Sequence, residues 1–397
     1  MERTVDIKGD FPVLSNCVYL DNAATTQKPK SVVQEICSYY LNDNSNIHRG
    51  MYELSIRSEK KYDAARHVVA NFVDAILDQE IIFTKSATES INLVASCLVS
   101  MLHQGDEIVV SELEHSSNYF PWLINAKGRE LKVRVAKTNN QGHLSTESIN
   151  SCINKKTKIV AVTAMSNVTG ECPDLKKVIE SAHAVGAYVL IDASQAIAHE
   201  KISVQCLDCD FLCFSGHKVY GPMGIGVLYG KKKLLDHMPP FLYGGGMIRQ
   251  GKDGYSPVEV PGKFESGSPN VADAVGLAAA IQYLQEHDFA SLIEKESNVA
   301  EQLQSYLRKI PHVHVYGSNE SSPIISFSIE GASSYDAGSW LSQNDISVRC
   351  GAMCAFPLMH RLGQSSLIRV SLGIYNDSSD VAKLIEALES FLRMAGL

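Results

Sequence analysis

Short apolar runs rich in valine and isoleucine alternate with amphipathic stretches of helical length from about residue 60 to residue 230. The apolar runs cover residues 80–85, 107–111, 131–136, 158–164, 188–192, 211–215 and 225–229. The stretches between them include residues 89–102 and 174–185. Several runs are apolar at every position, which is typical of strands that are buried on both faces. The alternation predicts an α/β fold in which a largely parallel sheet lies between two layers of helices.

Residues 244–270 interrupt this alternation with several glycines and prolines, and a loop of that length in a compact enzyme is usually functional. A second unit follows, with one long helix, three strands and a closing helix, predicted at residues 273–307, 323–329, 346–349, 367–372 and 379–394. The order of these elements predicts a smaller α+β domain with a ligand crevice beside it. We expect an N-terminal segment packed on the small domain, a large domain and a small domain, at residues 1–20, 21–290 and 291–397.

Composition excludes several classes of protein. The 397 residues carry a net charge of −8, which does not favour nucleic-acid binding or an anionic membrane surface. No apolar run reaches the ~18–20 residues that span a bilayer, and the first residues lack the apolar core of a signal peptide. Ten cysteines in a chain of this length are typical of reduced thiols rather than a disulfide scaffold. We therefore expect a soluble cytoplasmic protein without nucleic-acid or membrane partners.

One lysine follows a predicted strand directly. The run that ends at Ser215 continues as Gly-His217-Lys218, and the carboxyl ends of strands are where ligands bind in open α/β sheets. A partly desolvated lysine there can form a Schiff base with an aldehyde cofactor. The stretch alone is equally compatible with a surface lysine in a glycine-rich turn.

Two further features favour a cofactor site. Asp192 ends an apolar strand, where a carboxylate can pair with the pyridinium nitrogen of pyridoxal phosphate or, alternatively, cap the next helix. Ser86 and Glu89 have capping-box spacing before an amphipathic stretch, and the free amides of such a first turn bind phosphate. Helix caps are common, so this motif is weak by itself.

A phosphate cradle, an acidic strand end and a strand-end lysine, in this chain order, resemble the fold type I pyridoxal-phosphate enzymes. The chain is most similar to the class V aminotransferase superfamily, and within it to cysteine desulfurases of the Suf-type, group II branch. The matching segments extend over nearly the whole chain and comprise residues 19–25, 48–50, 114–115, 166–168, 215–218 and 349–357 together with Arg369.

The resemblance implies a pyridoxal-phosphate enzyme with one site for cofactor and substrate. It assigns the cofactor contacts to Ala87 through its amide, Thr88, His115, Asp192, Gln195, Ser215, His217, Lys218 and, across a dimer, Ser268. It assigns the substrate contacts to Ala24, Asn167, Arg349 and Arg369. His115 would stack on the cofactor ring, and Arg369 would form a bidentate pair with the substrate α-carboxylate.

The same resemblance implies the reaction. Lys218 would move the substrate's Cα proton, His115 would act as an acid–base group, and Cys354 would accept sulfur as a persulfide. L-cysteine would become L-alanine, and the sulfur would pass to an acceptor protein for sulfur mobilisation and iron–sulfur cluster assembly. Selenocysteine lyase, or another lyase or transaminase of this fold, is the alternative. Residues 48–49 and 244–270 match parts that reach across a homodimer in relatives.

The sequence departs from the family pattern around Cys354. Ala352 and Met353 stand where many relatives have histidines, and Cys350 adds a second thiol. Thiolate formation at Cys354 would then depend on other positive charge, such as Arg349 or the cofactor site. Smaller departures are Ser86, Ala87 and Ser116.

A zinc site is the competing interpretation of another group of residues. Cys206, Cys209, Cys213 and His217 have spacing that zinc ligands can show. Cys209 and Cys213 also alternate with Phe211 and Ser215 along one strand, as small buried residues do. We therefore predict no metal.

Overall fold

A computed structural model describes residues 7–251 and 254–397. The α-helices are α1 (Lys30–Asn42), α2 (Glu53–Phe72), α3 (Ala87–Ser100), α4 (Ser116–Lys127), α5 (Thr146–Cys152), α6 (Leu175–His183), α7 (Val204–Leu207), α8 (Lys232–His237), α9 (Val271–Glu286), α10 (Phe289–Leu307), α11 (Ser334–Gln343), α12 (Phe356–Arg361) and α13 (Ser378–Ala395). The strands are β1 (Val18–Tyr19), β2 (Ile81–Thr84), β3 (Glu107–Ser111), β4 (Lys132–Ala136), β5 (Thr157–Thr163), β6 (Tyr188–Asp192), β7 (Phe211–Ser215), β8 (Gly226–Gly230), β9 (Ile248–Gly251), β10 (Gly254–Pro257), β11 (Val313–Tyr316), β12 (Ile324–Ile329), β13 (Ile346–Ser347), β14 (Arg349–Gly351) and β15 (Leu367–Ser371).

A seven-stranded sheet in the order β2-β8-β7-β6-β5-β3-β4 forms the centre of the molecule. Strands β3 to β7 are parallel to one another, and β8 runs antiparallel to both of its neighbours. All seven strands predicted from the apolar runs are present within one or two residues. The predicted α/β architecture with a mostly parallel sheet is confirmed.

Alternate residues of the central strands belong to two hydrophobic clusters, one on each face of the sheet. In β6, Val189 and Ile191 pack in one cluster and Leu190 in the other. Helices α3 and α4 cover the face of Leu190, while α2, α6 and α9 cover the opposite face. Because both faces are covered, these strands are apolar at every position and do not alternate with polar residues.

A second sheet of four antiparallel strands lies in the C-terminal part of the chain, in the order β11-β12-β15-β14. Its apolar side chains form a separate cluster with α10, α11 and α13. Val18 and Leu20 join that cluster, and β1 pairs in parallel with β13. The domain boundaries at residues 20 and 290 remain predictions.

The structure corrects three details. The predicted helix 273–307 is two helices, because Asp288 between α9 and α10 has a left-handed backbone with φ of 52°. The predicted strand 346–349 is wrong as a single strand, because β13 pairs with β1 and β14 pairs with β15. The predicted loop 244–270 contains the antiparallel hairpin β9–β10.

Some predictions fall beyond the described residues. Residues 252 and 253 of the loop lie outside them, as do residues 1–6 of the N-terminal segment, on which the prediction of no signal peptide depends. Within the described ranges, no helix is both long and apolar enough to cross a membrane.

Candidate active site

One cavity of about 360 Å³ lies at the carboxyl ends of β5, β6 and β7, beside the N-terminus of α3 and the loop after β14. All but one of the predicted site residues line it, namely Ala24, Ala87, Thr88, His115, Asn167, Asp192, Gln195, Ser215, His217, Lys218, Arg349, Cys354 and Arg369. Ser268 does not; it is exposed and lines a neighbouring cavity with Lys85 and Glu265. The sequence therefore predicted a set of side chains that the fold brings together.

Lys218 lies in a tight turn directly after β7. Burial lowers its pKa to about 8; the charge of Arg369 also lowers it, and Asp192 opposes both. A far larger fraction of this amine than of an ordinary lysine is therefore neutral near neutral pH, as a nucleophilic lysine requires.

The peptide that precedes Lys218 is held by several donors. The carbonyl of His217 accepts hydrogen bonds from the Thr26 amide at 3.0 Å, from the Thr25 and Thr26 hydroxyls at 3.1 Å each, and from Lys28 Nζ at 3.0 Å. Burial lowers the pKa of Lys28 to about 7. Residues 25–28 thus fix the backbone of the turn that carries Lys218, which sequence reasoning did not predict.

Asp192 ends β6 inside the cavity. One of its carboxylate oxygens accepts a hydrogen bond from the Ser194 amide at 3.0 Å. Its other oxygen accepts none from any residue in the described ranges. Gln195 donates from its side-chain amide to the Ala23 carbonyl at 3.0 Å. Asp192 can therefore accept a proton or hydrogen bond from a ligand in the cavity.

The N-terminus of α3 faces the same cavity. Ser86 caps the helix and accepts from the Glu89 amide at 3.3 Å, while the Glu89 carboxylate accepts from the Lys85 amide rather than from Ser86. The predicted capping box is therefore only half formed. The Ala87 amide donates to the Ser215 hydroxyl at 2.8 Å, so the hydroxyl of β7 and the helix N-terminus meet at one point.

His115 caps α4, and its Nδ1 accepts from the Ser117 amide at 3.2 Å. Burial, with a smaller contribution from the nearby charge of Lys218, lowers the pKa of His115 to about 4. The imidazole is therefore neutral at neutral pH. Neighbouring Glu114 is fully buried, and burial raises its pKa to about 8. It accepts from Asn118 at 2.6 Å and from the Thr163 amide at 3.1 Å, which links α4 to β5 behind the cavity.

Two arginines line the cavity opposite each other on neighbouring strands. Arg349 of β14 is in register with Arg369 of β15, and Asp21 contacts both guanidinium groups. Arg369 also donates to the Asn167 carbonyl at 2.9 Å. Asp21 is a site residue that sequence reasoning missed, although it stands in one of the segments that carry the family resemblance.

Cys354 lies on the loop after β14 and is exposed. Met353 and Cys354 both have left-handed backbones, with φ of 51° and 55°. The Cys354 carbonyl accepts from the Ser116 amide at 2.8 Å and from the Ser116 hydroxyl at 2.7 Å. The Met353 carbonyl accepts from the Asn167 side-chain amide at 2.7 Å. Bonds from the N-terminus of α4 and from the loop after β5 therefore hold the backbone that carries the thiol.

The second thiol of this segment has different surroundings. Cys350 packs against the C-terminal hydrophobic cluster and donates to the Ser334 carbonyl at 3.0 Å. Burial raises the pKa of its thiol. Cys350 is not among the residues that line the cavity.

The cysteines of the alternative zinc interpretation differ in their exposure to solvent. Cys206 is exposed, whereas Cys209 and Cys213 are buried in the core. Among residues 7–251 and 254–397, no three His, Cys, Asp or Glu side chains are grouped so as to hold a metal ion.

Several polar atoms around the cavity have no partner within the chain. Asn167 Oδ1, His217 Nδ1 and Arg369 Nε are buried and make no hydrogen bond in the described part of the chain. Together with the α3 N-terminus, Asp192 and Lys218, they offer donors for a phosphate and a carboxylate, an acceptor for a ring nitrogen and an amine for an aldehyde. This set of groups fits pyridoxal phosphate with an amino-acid substrate.

Comparison with known proteins gives consistent matches over the full chain. The family model described as aminotransferase class-V matches residues 18–384. A cysteine desulfurase from Dickeya dadantii (strain 3937) is 39% identical over 399 residues, covering 98% of this chain and 97% of the relative.

Two solved structures share the fold closely. The cysteine desulfurase CsdA (S-sulfonic acid) from Escherichia coli superposes with a TM-score of 0.93 at 38% identity and covers 99% of each chain. The apo cysteine desulfurase from Thermococcus onnurineus NA1 gives a TM-score of 0.95 at 35% identity, covering 100% of this chain and 99% of its own. The predicted fold type I architecture agrees with both.

Proposed function

The chain belongs to the class-V aminotransferase family, and we propose that it is a pyridoxal-phosphate-dependent cysteine desulfurase that converts L-cysteine to L-alanine. One observation carries the proposal: an exposed thiol, Cys354, shares a cavity with a half-buried lysine, Lys218, and a buried arginine, Arg369. A transaminase needs the lysine and the arginine. A desulfurase needs in addition a thiol that accepts sulfur.

The cavity residues have distinct roles toward the cofactor. The Ala87 amide and the side chains of Thr88, Ser215 and His217 would hold the phosphate. Asp192 would pair with the ring nitrogen, Gln195 with the phenolic oxygen, and the neutral imidazole of His115 would lie on the ring face. Lys218 would provide the amine for the covalent link. When bound, pyridoxal phosphate supplies an electron sink for the substrate's Cα.

The remaining residues bind and convert the substrate. Arg369 binds the α-carboxylate through its guanidinium, with Asn167, Arg349 and Ala24 around it. Lys218, once released, takes the proton from Cα and later returns one. The Cys354 thiolate attacks the substrate sulfur, so that an S–S bond forms on Cys354 while the substrate's C–S bond breaks and its electron pair stays with the carbon. Reprotonation of that carbon gives L-alanine.

The surroundings of the site extend the proposal. The exposed Cys354 is suited to hand its sulfur to an acceptor protein, as expected for the group II branch and for iron–sulfur cluster assembly. Ser268 acts on the phosphate held by the other subunit of a homodimer, since it does not line the cavity of its own chain. We place the protein in the cytoplasm, consistent with ten free cysteines.

The two thiols of one segment allow a matched test. Cys354→Ala is expected to bind pyridoxal phosphate and L-cysteine as the wild type does, because those steps use Lys218, Asp192 and Arg369. Its production of L-alanine from L-cysteine should fall by orders of magnitude. Cys350→Ala removes a thiol that packs away from the cavity and should keep turnover within about two-fold. Mass spectrometry after a pulse of L-cysteine should find the added sulfur on Cys354.

Two results would contradict the proposal. One is a persulfide found only on Cys350, and the other is unchanged L-alanine production by Cys354→Ala. Borohydride reduction followed by peptide mapping checks the cofactor link independently, and label on a lysine other than Lys218 would refute that assignment.

A further inference from the structure

Asp21 lies between the two arginines of the cavity. Both oxygens of its carboxylate accept from Arg349, with Nε at 3.1 Å and Nη2 at 2.8 Å, and one also accepts from Arg369 Nη2 at 3.1 Å. The two arginines face each other in register on β14 and β15, where like charges are destabilising. Asp21 compensates that repulsion.

The net charge of Asp21, Arg349 and Arg369 can be neutralised by one carboxylate of a ligand. Two guanidinium groups and one carboxylate leave a single positive charge, which the α-carboxylate of an amino acid neutralises. Arg369 still has a donor for it, because its Nε is buried without a partner. Arg349, in contrast, is occupied by Asp21 through two nitrogens.

Arg349 lies on the side of the cavity where the substrate side chain must be. It lines the cavity with Cys354, and its pKa is raised first by its hydrogen bond to Asp21 and to a smaller extent by the charge of Cys354. The sulfur of a substrate has to approach Cys354. A negative group at the end of a substrate side chain would therefore come near Arg349.

We propose that Asp21 is a specificity-determining residue that, by occupying Arg349, disfavours amino acids with an anionic side chain and favours those with a neutral one. The inference rests on the proposed function, because it takes an amino acid to be the ligand of Arg369. Without the Asp21 carboxylate, Arg349 is free to bind a second anionic group.

The test compares two ligands that have no sulfur for Cys354 to take. L-alanine and L-aspartate share the α-carboxylate and differ in side-chain charge, and their dissociation constants are measured by calorimetry on the cofactor-loaded protein. In Asp21→Asn, the affinity for L-aspartate relative to L-alanine should rise about ten-fold over the wild type, the equivalent of one charge-assisted hydrogen bond. Asp21→Ser, a second neutral variant, should show the same change, and Asp21→Glu should not.

Asp43 provides a matched control away from the cavity. Its side chain is 12% exposed against 13% for Asp21, and it also contacts two cations, Arg57 and Lys61. Asp43→Asn should leave the ligand ratio unchanged. The double variant Asp21→Asn/Arg349→Gln should lose the gain, since no free cation then faces the side chain.

The inference would be overturned if Asp21→Asn changed the affinities for L-alanine and L-aspartate by the same factor. It would also be overturned if the relative gain in L-aspartate affinity persisted in the double variant, which lacks Arg349. Production of L-alanine from L-cysteine by the wild type is measured separately. Its absence would refute the desulfurase proposal, whereas the ratio of the two affinities still decides the role of Asp21.

Discussion

At the scale of single residues, burial rather than neighbouring charge sets the chemistry of the site. Burial is the main cause of the lowered pKa of Lys218, and it also lowers the pKa of His115. The charge of Lys218 contributes to the lowered pKa of His115, and the charge of Arg369 contributes to the lowered pKa of Lys218. The result is an amine and an imidazole that are both largely neutral at mildly alkaline pH.

This gives a prediction for capture of the cofactor. Only the neutral amine attacks an aldehyde, so the rate at which the apoprotein binds pyridoxal phosphate covalently should rise about ten-fold per pH unit at low pH and level off above about pH 8. Nα-acetyl-lysine, whose amine has an ordinary pKa, should continue to react faster up to about pH 10.4. Stopped-flow absorbance measures both, and a protein profile that follows the free amine would show that Lys218 is not desolvated.

At the scale of elements, the loop after β14 depends on its neighbours for its position. Two successive left-handed residues are unfavourable for side chains other than glycine, and external hydrogen bonds compensate the cost. Ser116 supplies two of these bonds to Cys354. Ser116, one of the smaller departures from the family pattern, therefore has a structural role here.

We predict that Ser116→Ala slows sulfur transfer without weakening substrate binding. The variant loses a hydroxyl-to-carbonyl bond worth about 1 kcal/mol and keeps the amide bond, so the rate of persulfide formation should fall about five-fold. The affinity for L-cysteine should stay within two-fold. Ser148→Ala, which removes a hydroxyl bond to the Lys137 carbonyl, is the control and should change neither. If the rate of persulfide formation and the affinity for L-cysteine fell by the same factor, the substitution would have a general effect on the fold instead.

Elements with strong local patterns were predictable from the sequence. The buried strands of the central sheet are apolar at every position, and α3 follows its capping serine as expected. The two-residue strand β1 was not predictable, because its pairing with β13 leaves no periodic signal in the sequence. The break between α9 and α10 was not predictable either, because it depends on the single left-handed residue Asp288.

In the candidate site, too, local sequence patterns were predictive and long-range contacts were not. Family motifs identified the residues that line the cavity. The part played by Asp21 depends on ion pairs with residues 328 and 348 positions away, and no local pattern encodes contacts of that range. The four donors on the His217 carbonyl were missed for the same reason.

At the scale of the whole molecule, the segment that contains Ser268 is firmly attached to the central part of the chain. Glu265 forms a buried ion pair with Arg66, at 2.7 Å and 2.8 Å, and accepts from the Phe83 amide at 2.8 Å. A segment anchored in this way can present Ser268 at a fixed position on the surface.

We predict that Ser268 acts in the other subunit's site. Ser268→Asp places a negative charge against the phosphate and should abolish activity, as Lys218→Ala does. The mixed dimer, purified through different affinity tags on the two co-expressed inactive chains, should have about half of the wild-type activity, because one of its two sites has both residues intact. A chain that carries both changes, co-expressed with wild type, is the control for assembly. No recovery in the mixed dimer would show that Ser268 serves its own chain.

Hydrogen bonds made by Asp21 and Asn22 also determine when the cavity can form during synthesis of the chain. Asp21 meets Arg349, and Asn22 donates to the Ser371 carbonyl, across separations of 328 and 349 residues. A ribosome makes one side of this contact early and the other only after most of the chain has emerged. The part of the cavity that Arg349 and Arg369 line therefore cannot form in a nascent chain that ends before β15. Chains that end before β15 can fold locally around the central sheet, but they lack Arg369, the residue that we propose to bind the substrate carboxylate.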